Sequence, residues 1–358
     1  MKEKLKILHL APQNFAGMPY DFVKMHQSFG NDSHLITFFK NTLDFPEDIC
    51  LKLPSPTGKT AKKWRDAKAA DTQEGKLKIN SPKNFPEKIY FKIRDKKNSS
   101  AIESAIKEYN LLNYHIYHFD GGMDFYRDVR FAKELKKKNK KIVCCYFGSD
   151  LRTRGIFKEL DEISDLNLTV EFDHLKLYPG INFLYFPFDN SYLKPKSHKN
   201  KTLKIVHSPS NRKFKGTNKI IPVMNEVMSE RQVEFVLLEN MHRKEVLEIK
   251  AQCDIAIDQI SGELGGSGYG KNSLETISLG LPTVTEFSDD YYKFLGDNPF
   301  VNSNINNLKE NLLKLIDSDS YRNDLAQKGF EWMKRTHSFE AVNKTLTELY
   351  LKHKIIPE

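Results

Sequence analysis

Two basic side chains in the C-terminal half of the chain have the type and spacing that bind a phosphate. Arg212 and Lys215 are three residues apart in a polar loop, which follows a short apolar run and precedes a helix-like stretch from Asn218 to Val227. Both side chains can reach one anion over the start of that helix, where unpaired backbone N–H groups add partial positive charge. The pattern predicts a diphosphate-binding loop, with a pair of solvated surface charges as the alternative.

A second loop with similar chemistry lies further along the chain. Residues 262–270 include five glycines, follow the strand-like residues 254–258 and lead into a helix that ends near Gly280. Gly268 and Gly270 let backbone N–H groups approach an anion closely, and Tyr269 between them can stack on or cap the same group. Two such loops in succession predict a nucleotide-diphosphate ligand.

From about His207 to Pro282 the chain resembles the donor-binding domain of GT-B glycosyltransferases, and it is most similar to the retaining family 4 type. In that family a basic pair after one strand holds the donor diphosphate, and a glutamate on a later helix holds the ribose. The resemblance assigns Arg212 and Lys215, together with the loop 268–270, to the diphosphate. It assigns Glu275 to the ribose.

Four further side chains are candidates for contact with the donor sugar or the base. Asp258 and Gln259 end the strand before the glycine-rich loop, and Glu263 lies within that loop. The fourth is Ser267, which stands where the family usually has another glutamate, eight positions before the ribose residue. This departure removes one acidic contact that the resemblance would otherwise assign to the transferred sugar.

The resemblance implies an enzyme that moves a hexosyl group from a nucleotide-diphosphate sugar to an acceptor hydroxyl, with retention at the anomeric carbon. The acceptor would be a saccharide or a lipid-linked molecule in bacterial-type polysaccharide or glycoconjugate assembly. A nucleotide-sugar epimerase of the same fold is the alternative, and it needs no acceptor. A non-catalytic nucleic-acid binder is less favoured, because helix-turn-helix, zinc and aromatic-basic RNA patterns are not found in the sequence.

Three residues of the N-terminal half are candidates for the chemical step. Gly17 lies in the loop after the first strand, where the family has a glycine turn near the reacting groups; a plain turn glycine is the alternative. Asp150 follows the most apolar strand, so it either orients a hydroxyl of the acceptor or donor sugar or caps the next turn. His118, followed by Asp120, ends another strand, where a buried, hydrogen-bonded histidine is the commoner outcome.

Strand-like and helix-like stretches alternate along the chain, and the alternation restarts after a polar run at 194–201. This order is typical of parallel α/β domains, and it predicts two Rossmann-like doubly wound domains that face one another across a cleft. We predict an acceptor-binding domain at 1–192, with a basic insertion at about 52–98, and a donor-binding domain at 202–336. In the resembling family the last helix crosses back to the first domain, and the amphipathic C-terminal segment at 337–358 is the candidate for that helix.

The net charge of +9 and a pI of about 9.0 indicate an anionic partner. A dozen lysines and arginines lie between Lys52 and Lys97 among prolines and few large apolar residues, so this insertion is predicted to be an exposed lobe. The first helix after it is predicted to span Ser99 to Asn110, and the next helix is predicted to span Phe125 to Asn139. A solvated loop and a surface that docks to anionic lipid are the two interpretations.

No metal ion and no other cofactor are predicted. The sequence has no Asp-x-Asp pattern at a convincing strand end, and the basic pair can neutralise a leaving diphosphate. The four cysteines show no metal-ligand spacing and are predicted to be free thiols. Because no apolar stretch is long enough to span a bilayer and residues 1–10 lack a signal-peptide core, we predict a cytoplasmic enzyme, with the inner face of the membrane as a peripheral location.

Overall fold

The computed structural model describes residues 4–41, 45–55, 75–82, 84–195, 198–261 and 268–357. The chain divides into two compact units. One unit joins Met1–Pro187 with Phe339–Glu358, and the other is Phe188–Ser338. Each unit is built on its own parallel sheet.

The first unit contains a seven-stranded sheet. Its strands are β1 Lys6–Ala11, β2 Asp32–Thr37, β3 Ile49–Cys50, β4 Ile116–Asp120, β5 Lys141–Tyr146, β6 Leu166–Thr169 and β7 Asn182–Phe183. They lie in the order β3-β2-β1-β4-β5-β6-β7, and every neighbouring pair is parallel. Strands β1, β4 and β5 are buried along almost their whole length, as expected of a parallel sheet that is covered on both faces.

Helices connect these strands. They are α1 Met18–Ser28, α2 Phe85–Glu108, α3 Arg130–Lys137, α4 Lys158–Ile163 and α5 His174–Leu177. Helix α1 begins directly after Gly17, whose φ of 75° lies in the left-handed region that glycine adopts without a steric penalty. The turn at Gly17 therefore lets the chain leave β1 and enter the helix sharply.

The second unit contains a five-stranded parallel sheet in the order β12-β11-β10-β8-β9. Its strands are β8 Leu203–His207, β9 Val233–Leu237, β10 Ile255–Ile257, β11 Thr283–Thr285 and β12 Val301–Asn302. Its helices are α6 Arg212–Lys215, α7 Thr217–Glu230, α8 Arg243–Lys250, α9 Lys271–Ser278, α10 Asp289–Leu295, α11 Leu308–Asp317 and α12 Asp319–Thr336.

Both sheets contain a point where the order of strand addition reverses. In the first sheet β1 lies between β2 and β4, and in the second sheet β8 lies between β9 and β10. In sheets of this type a crevice forms at the carboxyl ends of the strands on either side of the reversal, and ligands bind there. The loops that follow β8 and β10 are therefore the first place to look for a site in the second unit.

The last helix, α13 (Phe339–Lys352), follows the second unit in sequence but packs in the first unit against α1. Its buried residues Val342, Leu346 and Tyr350 are four positions apart and form one face of the helix. This face is the amphipathic pattern from which the returning helix is predicted.

The predicted fold class, two parallel-sheet α/β domains, is confirmed. The bounds of α2 differ most from expectation, since the helix begins at Phe85 rather than Ser99. The side chain of Asn84 caps it by accepting from the backbone N–H of Glu87 at 3.0 Å. The early turns carry apolar residues on two opposite faces, which obscures the helical period. No helix in the described ranges is long and apolar enough to cross a membrane.

The helix predicted at Phe125–Asn139 is shorter in the structure and comprises only α3. Residues before Arg130 form turns that are held by Asp124, which accepts from the backbone N–H groups of Tyr126 and Ala132 at 2.9 and 2.8 Å. These local hydrogen bonds compete with helix formation, which is why residues 124–128 stay outside the helix.

Candidate functional site

Hydrogen bonds from side chains shape the loop after β8. They hold the loop to the sheet and cap the short helix that follows. His207 is buried at the end of β8, where its Nδ1 donates to the carbonyl of Ile257 and its Nε2 accepts from the Thr217 hydroxyl, both at 2.9 Å. Burial lowers the pKa of His207, which favours the neutral ring that these bonds need. Asn211 caps the one-turn helix α6, and Gly216, with a φ of 68°, ends it and begins α7.

Lys215, the last residue of α6, is directed to the end of strand β10. Its Nζ lies 2.6 Å from Oδ1 of Asp258 and 3.3 Å from Oε1 of Gln259. Only 16% of the Lys215 side chain is exposed, and Asp258 is fully buried. The strand order accounts for this meeting, because β8 and β10 are neighbours although 43 residues separate the two side chains.

The Asp258 carboxylate has three side-chain partners within the protein. Besides Lys215 it accepts from Asn272 Nδ2 at 2.8 Å and from the Ser273 hydroxyl. Burial opposes its ionisation, but Lys215 and the two hydrogen bonds together hold the pKa of Asp258 below its usual range. The sequence prediction places Asp258 against the donor sugar or base. In the structure Asp258 instead accepts from Lys215 and fixes the position of its ammonium group.

Glu275, on helix α9, lies between two cations. Its Oε1 accepts from Arg243 at 2.7 Å and its Oε2 accepts from Lys250 at 2.9 Å. Lys250 is 2% exposed, whereas a third of the Arg243 side chain is open to solvent. Burial alone would raise the pKa of Glu275, but Lys250 and Arg243 hold it below its usual range, so the carboxylate is ionised.

Asn272 connects these two ion pairs. Its amide nitrogen donates to Asp258 at 2.8 Å, and its amide oxygen accepts from Lys250 at 2.5 Å and from the Ser208 hydroxyl at 2.9 Å. The result is one continuous polar network from Lys215 to Glu275, at the carboxyl ends of β8 and β10. We call this the Lys215–Glu275 network; its members are Ser208, Lys215, Arg243, Lys250, Asp258, Asn272, Ser273 and Glu275.

Five members of the network are not predicted from the sequence; they are Ser208, Arg243, Lys250, Asn272 and Ser273. Arg243 and Lys250 lie on α8, where a basic residue on a polar helix is typical of a solvated surface. Asn272 offers one local signal, because it is the second residue of the helix that follows the glycine-rich loop. Their partners in the network lie between 14 and 64 residues away, so no short motif reveals them.

Arg212 lies at the start of α6 and is paired outside this network. Its guanidinium donates to both carboxylate oxygens of Glu239, at 2.7 and 2.6 Å, and to Asn218 at 3.0 Å. The Arg212 side chain is 44% exposed. The sequence prediction places Arg212 and Lys215 on a common anion; in this structure each has its own carboxylate partner.

The glycine-rich loop is described only from Gly268 onward, so Glu263 and Ser267 lie outside the described residues. Gly268 has a φ of 106°, and a side chain there would overlap the Tyr291 ring. Gly270 lies directly before α9, and no neighbouring atom lies within 4 Å of the position that a Cβ would occupy there.

Tyr269 turns into the interior of the second unit rather than toward the start of α9. Its ring stacks on Phe300 with centroids 5.1 Å apart and meets Trp332 edge-on at 5.3 Å. Its hydroxyl lies 3.0 Å from Nε2 of His337. An aromatic ring with a partner for its hydroxyl gains more from burial than from solvent. The Tyr269 side chain therefore anchors the loop, and contact between this loop and a diphosphate stays a prediction.

In the first unit, Gly17 and Asp150 both lie in loops at the carboxyl edge of the sheet. Gly17 forms the left-handed turn that starts α1. The Asp150 carboxylate accepts from the backbone N–H groups of Phe147, Gly148 and Leu151 at 2.8 to 2.9 Å. Of the two interpretations of Asp150, these bonds favour the turn cap.

His118 is the third catalytic candidate, and the structure buries it in the core of the first unit. Its Nε2 lies 2.5 Å from the hydroxyl of Tyr350 on α13. Its ring stacks on His9 with centroids 4.3 Å apart, since the two residues are directly opposite in β1 and β4. Burial lowers the pKa of His118 well below its usual value, so the ring is neutral. His118 is thus the buried, hydrogen-bonded histidine that the sequence left as the alternative.

One group of side chains in the described part of the chain could hold a metal ion. His9, His26 and His118 offer ring nitrogens that all lie within 4.8 Å of one another. His9 Nδ1 is bonded to Asp120 at 2.9 Å, and Nε2 of His118 is bonded to Tyr350. The group lies in the first unit, whereas the predicted phosphate loops are in the second.

We expect Tyr350→Phe to lower the free energy of unfolding by about 1–3 kcal/mol, because it leaves a buried ring nitrogen of His118 without a partner. Urea unfolding followed by circular dichroism measures the change. Tyr321→Phe is the matched control, since that tyrosine is 38% exposed. Equal stabilities of the two variants would contradict the anchoring role of Tyr350.

A surface pocket of about 360 Å³ also lies in the second unit, but at the opposite edge of the sheet. Its lining includes Leu203, which begins β8, and Asp254, which precedes β10. Ligands of doubly wound sheets bind at the carboxyl ends of the strands, so this pocket is not the candidate site.

The chain matches no protein-family model and no curated protein by sequence. Solved structures do share its fold. A glycosyltransferase from Rickettsia africae has a TM-score of 0.58 and 12% identity, with 98% of this chain and 99% of that chain covered. A variant of TarM from S. aureus, in complex with fondaparinux, α-GlcNAc-glycerol and UDP, has a TM-score of 0.60 and 10% identity, with 97% and 100% covered.

A putative UDP-N-acetylglucosamine 2-epimerase from Listeria monocytogenes is also similar, with a TM-score of 0.54, 10% identity and 99% and 98% of the two chains covered. At these identities the likeness concerns the fold, and it extends over nearly the whole length of every chain compared. The chain therefore has the two-sheet α/β fold that GT-B glycosyltransferases share with UDP-N-acetylglucosamine 2-epimerases.

Proposed function

We propose that this protein is a glycosyltransferase that moves a sugar from a nucleotide-diphosphate sugar to an acceptor hydroxyl. The observation that carries the proposal is the Lys215–Glu275 network at the carboxyl ends of β8 and β10. It joins the residue assigned to the diphosphate to the residue assigned to the ribose through Asn272, so both are held in place before a ligand binds. Structures of the same fold are described in complex with UDP or thymidine diphosphate, which supports a nucleotide ligand.

In the proposed reaction the bond between the anomeric carbon and the diphosphate oxygen breaks, and negative charge builds up on the diphosphate. Lys215 is held by Asp258 in a largely buried position, where an ammonium group stabilises an anion more strongly than it does in water. Arg212 lies on the same short helix and is paired with Glu239. A guanidinium binds phosphates as well as carboxylates, so Arg212 can leave Glu239 and bind the diphosphate.

Glu275 is suited to the ribose because it is ionised and fixed. A carboxylate has about four acceptor directions, and Arg243 and Lys250 use one on each oxygen. The remaining directions can accept from the two vicinal hydroxyls of a ribose. A 2′-deoxynucleotide would leave one of them unused.

The finer features of the reaction follow from the family resemblance, and we include them in the proposal. They are retention at the anomeric carbon, transfer of a hexosyl group, and a role in bacterial-type polysaccharide or glycoconjugate assembly in the cytoplasm. On the acceptor side, Gly17 is the candidate whose turn lies at the carboxyl edge of the first sheet, next to the reversal of strand order. Asp150 shapes the neighbouring loop after β5.

A nucleotide-sugar 2-epimerase is the second candidate, because two structures of that description share the fold. The two functions differ in what they need. An epimerase converts the nucleotide-sugar without an acceptor, whereas a transferase releases nucleoside diphosphate only as the sugar moves. Incubation with UDP-sugars alone, followed by NMR of the sugar ring, tests the epimerase; appearance of a C2 epimer would replace our proposal.

We expect nucleoside diphosphates to bind with the same dissociation constant, within about twofold, in EDTA and in Mg²⁺, because Lys215 and the helix start at Gly270 would neutralise the diphosphate in place of a metal. Isothermal titration calorimetry with UDP, thymidine diphosphate, GDP and ADP measures this and identifies the base. Binding that EDTA abolishes and Mg²⁺ or Mn²⁺ restores would refute metal independence. Absence of binding by all four nucleotides would refute the proposed function.

A further inference from the structure

Helix α2 has one face that packs in the core of the first unit. Phe91, Ile102 and Ala105 are buried and lie on the same side of the helix. Asp95 is also on this side, where its carboxylate accepts from the Arg94 guanidinium at 2.7 Å and from the backbone N–H of Arg127 at 2.8 Å. This face is what holds α2 to the rest of the unit.

The opposite face of the first turns is apolar and exposed. Phe85, Ile89 and Ile93 are four residues apart and therefore form a row along the helix, with exposed fractions of 73%, 41% and 51%. Tyr90, which is 53% exposed, lies beside this row. We call these four residues the exposed stripe. A contiguous apolar row on the solvent side of a helix is uncommon in a monomeric soluble protein and marks an interaction surface.

A row of lysines accompanies the exposed stripe. Lys88, Lys92 and Lys96 are also four residues apart, and each follows a stripe residue by three positions, so the two rows are adjacent along the helix. All three are exposed, as is Lys97. The neighbouring Asp95 is turned into the core and bound there, so it does not neutralise the lysine row.

We propose that the exposed stripe and its lysine row dock this protein on an anionic lipid bilayer. An apolar row with lysines along its edge is the arrangement of helices that lie in the membrane interface. The apolar side chains enter the boundary between headgroups and acyl chains, and the lysine stems extend so that their ammonium groups reach the lipid phosphates. A protein partner would need an acidic groove to match the same row. The overall charge of +9 favours the lipid surface.

The docking proposal is independent of the transferase proposal, because it concerns a surface and not a reaction. It also narrows the region that contacts lipid, because the sequence indicates lipid docking as one interpretation for the whole basic insertion at about 52–98. Lys59, Lys62, Lys63 and Lys68 lie outside the described residues, and the contact is assigned to α2 instead.

The test is co-sedimentation of the full-length protein with extruded vesicles. We expect binding to vesicles of phosphatidylcholine with phosphatidylglycerol at low salt, and at least tenfold weaker binding to pure phosphatidylcholine. Salt should weaken the binding to anionic vesicles without abolishing it, because only the lysine contribution is screened. A wild-type protein that does not bind anionic vesicles at low salt would overturn the proposal.

Two variants separate the two contributions. The triple variant Phe85→Ser, Ile89→Ser, Ile93→Ser should lose binding at least tenfold at every salt concentration. The variant Lys88→Gln, Lys92→Gln, Lys96→Gln should lose it about tenfold or more at low salt and little at high salt. The control replaces three exposed apolar residues elsewhere by serine; they are Met228, Phe294 and Leu351, which are 37–41% exposed. This control should bind as the wild type does.

Depth of insertion gives a second measurement that does not depend on loss of binding. Tyr90→Trp in a Trp64→Phe background places a fluorophore in the stripe, and we expect brominated lipids to quench it more than they quench the buried Trp332 of the Trp64→Phe parent. Sedimentation equilibrium tests the main rival occupant, a second copy of the chain. Self-association that the serine triple variant abolishes, with no vesicle binding by either protein, would assign the stripe to a dimer and overturn the membrane proposal. Unchanged UDP binding in both triple variants would show that the donor site is intact.

Discussion

Replacing Lys215 by Met is expected to weaken nucleoside diphosphate binding at least tenfold and to lower the free energy of unfolding by about 3 kcal/mol. The first effect comes from the loss of an ammonium group placed for the diphosphate. The second comes from Asp258, which is fully buried and would keep its charge with only Asn272 and Ser273 as partners. Calorimetry with the tightest-binding nucleotide and urea unfolding measure the two effects separately.

The double variant Lys215→Met, Asp258→Asn distinguishes the two roles of Lys215. Removing both charges relieves the unpaired carboxylate, so we expect most of the lost stability to return while nucleotide binding stays weak. Lys213→Met is the matched control, since Lys213 is exposed on the same short helix and has no bond to the network. If the double variant recovers binding along with stability, Lys215 acts only through the fold and the diphosphate assignment is wrong.

Glu275→Gln is expected to have the next largest effect, a loss of about 3 kcal/mol of unfolding free energy together with loss of ribose discrimination. A glutamine offers one acceptor oxygen where Arg243 and Lys250 each need one, and its NH₂ group would face a second donor. Lys250, which is 2% exposed, would lose its counter-charge. The wild type should bind the ribonucleotide more tightly than the 2′-deoxynucleotide, and the variant should bind both alike.

The same variant should change how stability depends on pH. The folded-state pKa of Glu275 is below its usual range, so its ion pairs stabilise the protein fully above the unfolded value of about 4.3 and lose this contribution as the pH falls through the lowered value. The stability difference between wild type and Glu275→Gln should be constant above about pH 5 and shrink in more acid solution. Glu248→Gln, at an exposed position of α8, is the control and should follow the wild type. A difference that does not shrink at low pH would contradict the ionised state of Glu275.

The amino-acid sequence by itself determines the order of elements and the class of fold. The apolar runs at β1, β4 and β5 are nearly continuous because both faces of a parallel sheet are covered, and that pattern is visible without coordinates. The alternation also predicts the strands of the second unit, since all five observed strands lie at or beside the apolar runs near Lys204, Phe235, Ile255, Thr283 and Phe300. Local turn chemistry is equally readable, since Gly17 and Gly216 stand where the backbone must adopt a positive φ.

Helix α2 shows where periodicity is insufficient. Its buried face and its exposed stripe are both apolar, and lysines lie between them, so the first turns have no single polar side. A helix of this kind cannot be recognised by amphipathicity alone, because its second apolar face does not pack in the core of its own unit. The same feature that hid the helix is the one that indicates a membrane contact.

Partner choice was decided only by the tertiary structure. From sequence, Asp258 and Tyr269 are candidates for contact with a ligand, and His118 is either a catalytic residue or, more commonly for such a position, a buried histidine. In the structure, pairing of β10 with β8 places Asp258 beside Lys215, and the Tyr269 ring stacks on Phe300. Helix α13 places Tyr350 within hydrogen-bonding distance of His118, although the two residues are 232 positions apart. Sequence specifies which groups stand at the ends of strands, because that depends on local pattern. Which of these groups can contact a ligand depends on contacts between residues distant in sequence. Buried polar groups are nearly always hydrogen-bonded, and the tertiary structure determines which partner lies within reach.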